Sequence, residues 1–318
     1  MTLIRQLILL AVFVGLSGCS QPTEPLRVGS NAWPGYLGLY YARDLGYLNP
    51  ERVRLIDFDN TGDTLRALRN HDIDAAAITL DEVLQLADHG QQPQIILVFD
   101  ISNGADTVLA KPGITRLAQL RGKRIGVQTN ALGAYMLARL LARAGLTPED
   151  VVIINLPTEA LGRAYRQNEI DVAITYEPFR SELLTEGARE IFSSRDIPGE
   201  IVDVLVVNKR TRIEKSHELE HLVDSYFKAL AVIRRNPETA AEHLKARTGT
   251  STNEVLSAWK LMELPDRTKN SQLMEESRNG LTATAQRLEQ VMLTHGLLRQ
   301  KVEIAPMIYP QLIRDTEK

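Results

Sequence analysis

Two aspartates lie inside apolar runs that are typical of buried β-strands. Asp106 stands in the run GADTVL, and Asp203 stands in the run IVDVL. A carboxylate that is buried without a partner costs folding free energy. Each aspartate therefore needs a counterpart, and an internal arginine, backbone amides or a bound cationic ligand would each supply one.

Polar and aromatic side chains follow most of the candidate strands of this chain. Ligands of open α/β sheets bind at the carboxyl ends of the strands, so these side chains are expected to form a small-molecule pocket. The candidate ligand-binding residues are Asn31, Trp33, Tyr36, Thr61, Asp81, Ser102, Asp106, Gln128, Asn130, Tyr135, Tyr176, Glu177 and Asp203. Carboxylates beside aromatic faces favour an amine-bearing or heterocyclic cation. An anion would instead need arginine, lysine or helix N-termini.

Several of these residues also suit a purely structural role. The amide and hydroxyl side chains are good helix caps, and Trp33 and Tyr36 are equally suited to a hydrophobic core. Asp81 is also compatible with a first-turn acid that complements a helix dipole. The pattern leaves both interpretations open for each residue taken alone.

The elements that must position these residues alternate between strands and amphipathic helices. The predicted strands are 26–30, 53–58, 73–78, 94–101, 107–110, 124–128, 151–156, 172–175 and 201–207. Most are apolar throughout, as in strands buried on both faces of a parallel sheet. Residues 133–144 show helical spacing of apolar side chains, and Gly145 suits the helix end. This alternation predicts an α/β protein with mixed, mostly parallel sheets.

The last third of the chain has a different pattern. From about Ser216 onward, apolar residues recur at helical spacing and strand signals are nearly absent. Leu222, Tyr226 and Leu230 mark the face of one predicted helix, and Leu288 lies on another. This region forms a third domain or packs back onto the first one.

The N-terminus carries a short apolar run that ends at Cys19, the single cysteine of the chain. Arg5 precedes residues 7–16, a stretch of about ten residues that is too short to span a bilayer. The sequence LSGC resembles the lipobox of bacterial lipoproteins. We therefore predict a signal peptide at 1–18, lipidation of Cys19 and a tether at 19–25 that anchors the protein to a membrane.

Composition excludes several classes of protein. The 318-residue chain is 44% hydrophobic and 24% charged with a net charge of −3, values typical of a globular protein. It has no dense basic tract, so we expect no nucleic-acid binding. A lipidated Cys19 would leave no thiol for a disulfide, a metal site or a nucleophile.

One motif suggests an enzyme. His217, Glu218 and His221 fit the pattern HExxH, in which two histidines one helical turn apart bind zinc and the glutamate acts as a base. Ser216 is the expected helix cap, which places His217 in the first turn, and the neighbouring residues are charged. We expect a surface helix here, and we keep a zinc peptidase as the remote alternative.

Several segments together resemble a family of periplasmic substrate-binding proteins for nitrate, sulfonate, taurine and thiamine precursors. The segment WPGY at 33–36, followed by LYYARDLGYL at 39–48, resembles the opening loop and helix of that family. The segments at 70–77, 120–127, 168–178 and 235–249 match later family motifs in the same order. The resemblance covers about residues 26–250.

This resemblance implies a two-lobe periplasmic binding protein fold of type II, with the helix-rich C-terminal part packed on lobe one. Lobe one would comprise 26–105 and 205–318, and lobe two would comprise 106–204. The expected protein is a monomer without cofactor or metal that is not an enzyme. It would capture a small-molecule ligand between the lobes and deliver it to an ABC permease. The alternative partner is a membrane sensor, because signalling uses the same closure.

Overall fold

The computed structural model describes residues 24–129, 131–275 and 280–314, in which strands and helices alternate. The strands are β1 Leu26–Ser30, β2 Val53–Asp57, β3 Ala75–Thr79, β4 Pro93–Ser102, β5 Asp106–Ala110, β6 Arg124–Val127, β7 Val152–Asn155, β8 Val172–Tyr176, β9 Arg189–Ser193, β10 Val202–Asn208 and β11 Met262–Glu263. The helices are α1 Leu37–Asp44, α2 Thr61–Arg69, α3 Leu80–Asp88, α4 Ala131–Ala144, α5 Thr158–Arg166, α6 Phe179–Thr185, α7 Lys209–Glu214, α8 Ser216–Arg235, α9 Pro237–Thr248, α10 Thr252–Trp259, α11 Arg267–Glu275 and α12 Leu281–Thr294.

The strands form two separate mixed sheets. The first sheet has the order β11-β4-β10-β3-β1-β2, and the second has the order β7-β6-β8-β5-β9. Strand β1 pairs in parallel with β2 and β3, and β6 pairs in parallel with β7 and β8. Strands β10 and β5 are antiparallel to their neighbours on both sides. The prediction of α/β sheets is confirmed, although the share of parallel pairing is smaller than predicted.

The antiparallel strands follow the two places where the chain passes between the sheets. Residues 103–105 lead from β4 of the first sheet to β5 of the second, and residues 194–201 lead back from β9 to β10. Strand β10 lies wholly in the first sheet, which favours a lobe boundary near residue 201 rather than 204. The division into lobes stays a prediction.

All nine predicted strands are present, with ends that differ by up to two residues, and β9 and β11 are additional. Strand β9 pairs only with β5, at the edge of its sheet, and begins with two charged residues. Strand β11 has two residues. Their sequences therefore lack the apolar run by which the other strands are recognised. Strands β3 and β5, by contrast, are buried at all five positions.

The C-terminal helices cover the first sheet and its helices, as the resemblance implied. Helix α8 packs against α1 and buries the predicted face that includes Leu222, Tyr226 and Leu230. Helix α12 packs against α3 and buries Leu288. Within the described ranges, no helix combines the length and apolar character needed to cross a bilayer.

Candidate functional site: an acidic cleft between the two sheets

Trp33 and Asp100 form the first contact of the site. The loop after β1 places Trp33 so that its indole Nε1 donates a hydrogen bond to Asp100 Oδ2 over 2.9 Å. Gly35 permits this approach, because a Cβ at that position would lie 1.8 Å from the same carboxylate oxygen. Burial raises the pKa of Asp100 to about 8, and the Trp33 hydrogen bond opposes that rise.

Asp203 lies directly opposite Asp100 on the neighbouring strand. Both side chains are almost fully buried, at 3% and 0% exposure. Tyr36 donates its hydroxyl hydrogen bond to Asp203 Oδ1. Burial, together with the charge of Asp100, raises the pKa of Asp203 well above its usual value. Like charges directly across two strands are unfavourable, so this pair needs a compensating proton or cation.

Asp106 is the third buried carboxylate. It is the first residue of β5 and lies opposite Tyr176 at the carboxyl end of β8. Its backbone N–H donates to Ser102 Oγ over 3.3 Å, whereas its Oδ2 has no hydrogen-bond partner among the described residues. Burial raises the pKa of Asp106 to about 7.

Asp81 and Glu82 add two acids at the start of α3. The Glu82 carboxylate accepts a hydrogen bond from the Thr79 backbone N–H over 2.9 Å and so caps the helix. Burial raises the pKa of Asp81 to about 6, and burial plus the Asp81 charge raises the pKa of Glu82 to about 8. Within the described ranges, Asp81 Oδ2 has no partner.

These groups surround two small adjoining cavities, which together we call the cleft. One cavity of about 40 Å³ is lined by Thr61, Glu82, Asp106, Gln128, Leu132, Gly133, Met136, Thr158, Ile174, Thr175 and Tyr176. The other, of about 20 Å³, is lined by Asn31, Trp33, Tyr36, Thr61, Thr79, Asp106, Leu132, Tyr176 and Asp203. Their walls come from the elements of both sheets. Each has room for only one or a few water-sized groups, so the two walls lie close together.

Eight of the predicted site residues line the cleft: Asn31, Trp33, Tyr36, Thr61, Asp106, Gln128, Tyr176 and Asp203. Several of them also contact one another. Asn31 Nδ2 donates to Thr61 Oγ1 over 2.9 Å. The Trp33 and Tyr176 rings meet edge to face, with their centroids 5.8 Å apart.

The other predicted residues are placed differently. Asp81 and Ser102 are buried beside the cleft without lining it. The Tyr135 hydroxyl donates a hydrogen bond to Glu200 Oε2 over 2.6 Å. Glu177 accepts hydrogen bonds from the side chains of Arg180 and Ser181. Neither is among the residues that line the cleft. Asn130 and Cys19 lie outside the described residues.

The sequence interpretation missed the acids Asp100 and Glu82 and the hydroxyl side chains of Thr79, Thr158 and Thr175. Asp100 interrupts an apolar run in the same way as Asp106 and Asp203, so the argument that selected those two would have found it. Glu82 lies three residues after the end of β3, in the first turn of α3, where an acid is also an ordinary helix cap. Thr158, at the start of α5, donates a hydrogen bond from its hydroxyl to Gln128 Oε1 over 2.9 Å. Its sequence context shows no charge within an apolar run of the kind that marks the aspartates.

The HExxH motif lies on the surface, at the start of α8. The His217 side chain is 85% exposed, and His221 Nε2 accepts a hydrogen bond from the Asn49 backbone N–H over 3.1 Å. In the part of the chain that the structure describes, no group of three or more His, Cys, Asp or Glu residues is arranged to hold a metal ion. The geometry therefore gives the zinc alternative no support.

Comparison with known sequences identifies the family. A sequence model of the NMT1-like family matches residues 20–247, well over half of the chain. The chain belongs to the NMT1-like family. The family resemblance predicted from the sequence motifs, to the periplasmic binding proteins for sulfonates and taurine, is thereby confirmed.

Two curated relatives of this NMT1-like protein are binding proteins. A putative binding protein of Brucella abortus (strain 2308) is 25% identical over 166 residues, which cover 45% of this chain and 52% of the relative. The taurine-binding periplasmic protein of Escherichia coli (strain K12) is 25% identical over 156 residues, which cover 48% of each chain. The NMT1-like chain thus spans about half the length of the curated relatives it matches.

Solved structures share the fold of this NMT1-like protein over nearly its whole length. The alkanesulfonate-binding protein SsuA from Xanthomonas axonopodis pv. citri has a TM-score of 0.76 at 18% identity, covering 92% of this chain and all of that one. A zinc-bound ligand-binding component of an ABC-type import system from Staphylococcus aureus has a TM-score of 0.76 at 15% identity, covering 93% and 99%. These matches confirm the two-lobe periplasmic binding protein fold. The relatives agree with the expectation of a binding protein rather than an enzyme. The desulfurization enzyme DSZB also shares the fold, with a TM-score of 0.65 at 18% identity, covering 91% of this chain and 97% of that one.

Proposed function

We propose that this protein is an extracytoplasmic solute-binding lipoprotein that captures a small organic cation and delivers it to an ABC importer. The ligand carries an amine or a positively charged heterocycle. The observation that carries this proposal is the set of buried carboxylates around the cleft that have no basic partner within the described ranges. Asp106 is the central one, because it lines both cavities and leaves Oδ2 without a hydrogen-bond donor.

Acids elsewhere in the protein show the contrast. Asp74 accepts hydrogen bonds from Arg27 and Lys215, and Asp88 accepts one from Arg299. Buried charges in folded proteins are normally paired in this way. The cleft acids lack such cations, so bound protons or a positively charged ligand must neutralise them, and the proposed ligand is that second partner.

The lining of the cleft suits a cation better than an anion. Two of the proteins named above are described as binding taurine or alkanesulfonates, which carry a negatively charged sulfonate group. The described residues that line the two cavities include no arginine or lysine, so an anion there would depend on the first turns of α2, α4 and α5 alone. The aromatic rings of Trp33 and Tyr176 would instead offer π-electron surface to a cation. We infer that this chain uses the shared fold for a ligand of different charge.

Closure of the two lobes would connect ligand capture to delivery. We propose the two lobes predicted from the sequence, with the second boundary moved from 204 to near residue 201 so that β10 stays whole in lobe one, and ligand binding as the event that holds them together. A permease would bind the closed conformation in preference to the open one. The fold of an ABC import component supports an importer over the sensor alternative, for which no contact in the described residues offers specific support.

The N-terminal prediction gives the protein its location. A signal peptide at 1–18, lipidation of Cys19 and a tether at 19–25 would hold a monomeric binding protein at the outer side of a bacterial membrane. Such an anchor keeps the ligand trap within reach of its membrane partner.

A thermal-shift screen tests the proposed ligand class. Purified protein is heated with primary amines, quaternary ammonium compounds, cationic heterocycles, sulfonates, nitrate and Zn²⁺. A ligand at 100 times its Kd should add ~2.7 kcal/mol to the free energy of unfolding. We expect stabilisation by organic cations alone. Stabilisation by sulfonates but not amines, or by Zn²⁺ but not organic cations, would contradict the proposal.

A further inference from the structure

The tether leaves the folded chain beside helix α7. Lys215, which follows α7 directly, donates a hydrogen bond from Nζ to the backbone oxygen of Pro25 over 3.2 Å. The predicted tether from Cys19 to Pro25 is seven residues long. Fully extended, it would span at most about 25 Å. Whatever surface surrounds α7 is therefore held close to the bilayer.

That surface carries an exposed apolar side chain with basic neighbours. Ile213 is 61% exposed, more than any other large hydrophobic residue in the described ranges. On the same short helix, Lys209 is exposed and has no ion-pair partner among the described residues, while Arg210 pairs with Glu214 over 2.8 Å. A single exposed isoleucine is unremarkable by itself. Its position beside the tether and a lysine suits the boundary between lipid headgroups and acyl chains.

A polar groove adjoins this helix. It has a volume of about 470 Å³, and its walls include Lys209, Lys301, Gln94, Gln300 and Glu303. Two lysines and four glutamine amides offer hydrogen-bond donors to phosphate, and Glu303 is the one acidic side chain of the lining. The groove thus has the size and the donors that a phospholipid headgroup requires.

We propose that the surface formed by α7 and this groove, here called the membrane face, docks on an anionic phospholipid bilayer. Ile213 would enter the interfacial region, and Lys209 and Lys301 would contact headgroup phosphates. The inference rests on the proposed lipid tether, which fixes a bilayer rather than a second protein copy as the neighbour of this face. One exposed isoleucine is also far too little apolar area for a stable dimer.

Docking in this way would point the cleft away from the membrane. The groove includes Pro93 at the start of β4, whereas Asp100, which lies opposite the cleft-lining Asp203, is seven residues further along the same strand. At ~3.4 Å per residue, the two sites are ~24 Å apart along β4. The resting protein would therefore present its ligand site to solvent while it lies on the bilayer.

An environment-sensitive dye at position 213 tests the docking. The lipidated full chain with Ile213→Cys is labelled with an NBD maleimide and reconstituted into protein-free vesicles of phosphatidylethanolamine and phosphatidylglycerol. Lipidated Cys19 has no free thiol, so labelling is confined to the new cysteine. Val152→Cys is the matched control, because Val152 is a half-exposed aliphatic residue on the second sheet. We expect blue-shifted, lipid-quenchable NBD emission at 213 and water-like emission at 152.

A charge variant separates docking from tethering. The double substitution Lys209→Ala and Lys301→Ala should leave the labelled protein on the vesicles but reduce the docked fraction. At ~1 kcal/mol per lysine, the docked-to-undocked ratio should fall about 30-fold on anionic vesicles. Vesicle-bound protein with water-like emission at 213 would overturn the docking and leave the tether and the ligand site intact. Failure to bind vesicles, or labelling of the unsubstituted chain at Cys19, would overturn the tether and the docking together.

Discussion

Replacing Asp106 with asparagine separates ligand binding from folding stability. The substitution keeps the size of a side chain that is 3% exposed and removes its negative charge. A hydrogen bond to a charged partner contributes ~1.5–3 kcal/mol, so the affinity for a cationic ligand should fall roughly 10- to 150-fold. The ligand-induced thermal shift should fall with it.

The same substitution should increase the folding stability of the ligand-free protein. Burial raises the pKa of Asp106 from 3.8 to about 7, which corresponds to ~4 kcal/mol of folding free energy when the group is ionised. A raised pKa favours folding below pH 3.8, and that advantage is lost as the pH rises towards 7. Asp106→Asn should therefore stabilise the free protein by up to ~4 kcal/mol at pH 8 and by less at pH 5. Denaturant titration at the two pH values measures this.

Asp88→Asn is the matched control. Asp88 is equally buried, and its Oδ1 likewise has no hydrogen-bond partner among the described residues, but its Oδ2 accepts a hydrogen bond from Arg299 and it lies outside the cleft. Burial works against its ionisation, yet the Arg299 guanidinium holds the pKa of Asp88 below its usual value. We expect unchanged ligand affinity and a loss of ~1–3 kcal/mol in stability at neutral pH. If Asp106→Asn binds the cation as tightly as the unsubstituted protein, the reasoning from a buried carboxylate without a basic partner is refuted.

Four further outcomes are expected. Trp33→Phe removes the donor to Asp100 and should weaken binding and lower stability by ~1–3 kcal/mol. Gly35→Ala places a methyl group against the same carboxylate and should reduce the thermal shift by displacing Trp33. The affinity for a quaternary ammonium ligand should rise about 10-fold from pH 6 to pH 8, because Asp106, whose pKa is raised to about 7, becomes ionised in that range. Cys19→Ser should move the protein from the membrane fraction to the soluble fraction.

Each of these outcomes has a result that counts against it. An unchanged thermal shift in Trp33→Phe or Gly35→Ala would remove the indole from the ligand site. A pH-independent affinity for the quaternary ammonium ligand would show that Asp106 does not gain its charge in this range. Membrane association that persists in Cys19→Ser would contradict lipidation, and an unrelated lipoprotein with the same substitution serves as the control for fractionation.

The sequence was informative where a charged residue stands within an apolar run that predicts a buried strand. Asp106 and Asp203 were identified because a charge within a buried strand needs a partner, and the family motifs implied the two-lobe fold. The same pattern marks Asp100, which lies in the predicted strand 94–101.

Other parts of the site depend on geometry that no short pattern encodes. Tyr135 lies on the predicted helix, but its hydroxyl reaches Glu200, 65 residues further along the chain. Glu177 follows its strand as expected, but it forms an ion pair with Arg180 of helix α6 and does not line the cleft. Strand β9 was missed because an edge strand with one exposed side needs no continuous apolar run. Asp203 faces Asp100 only because β10 runs antiparallel to β4.

A crystal structure of the protein with an organic cation from the thermal-shift screen tests the central claim most directly. The account predicts the cationic nitrogen between the two sheets, within hydrogen-bonding distance of Asp106 if it carries N–H groups, or against the Trp33 and Tyr176 rings if it is quaternary. A ligand bound outside the cleft, or an anion held in the cleft by backbone N–H groups with the carboxylates turned away, would contradict it.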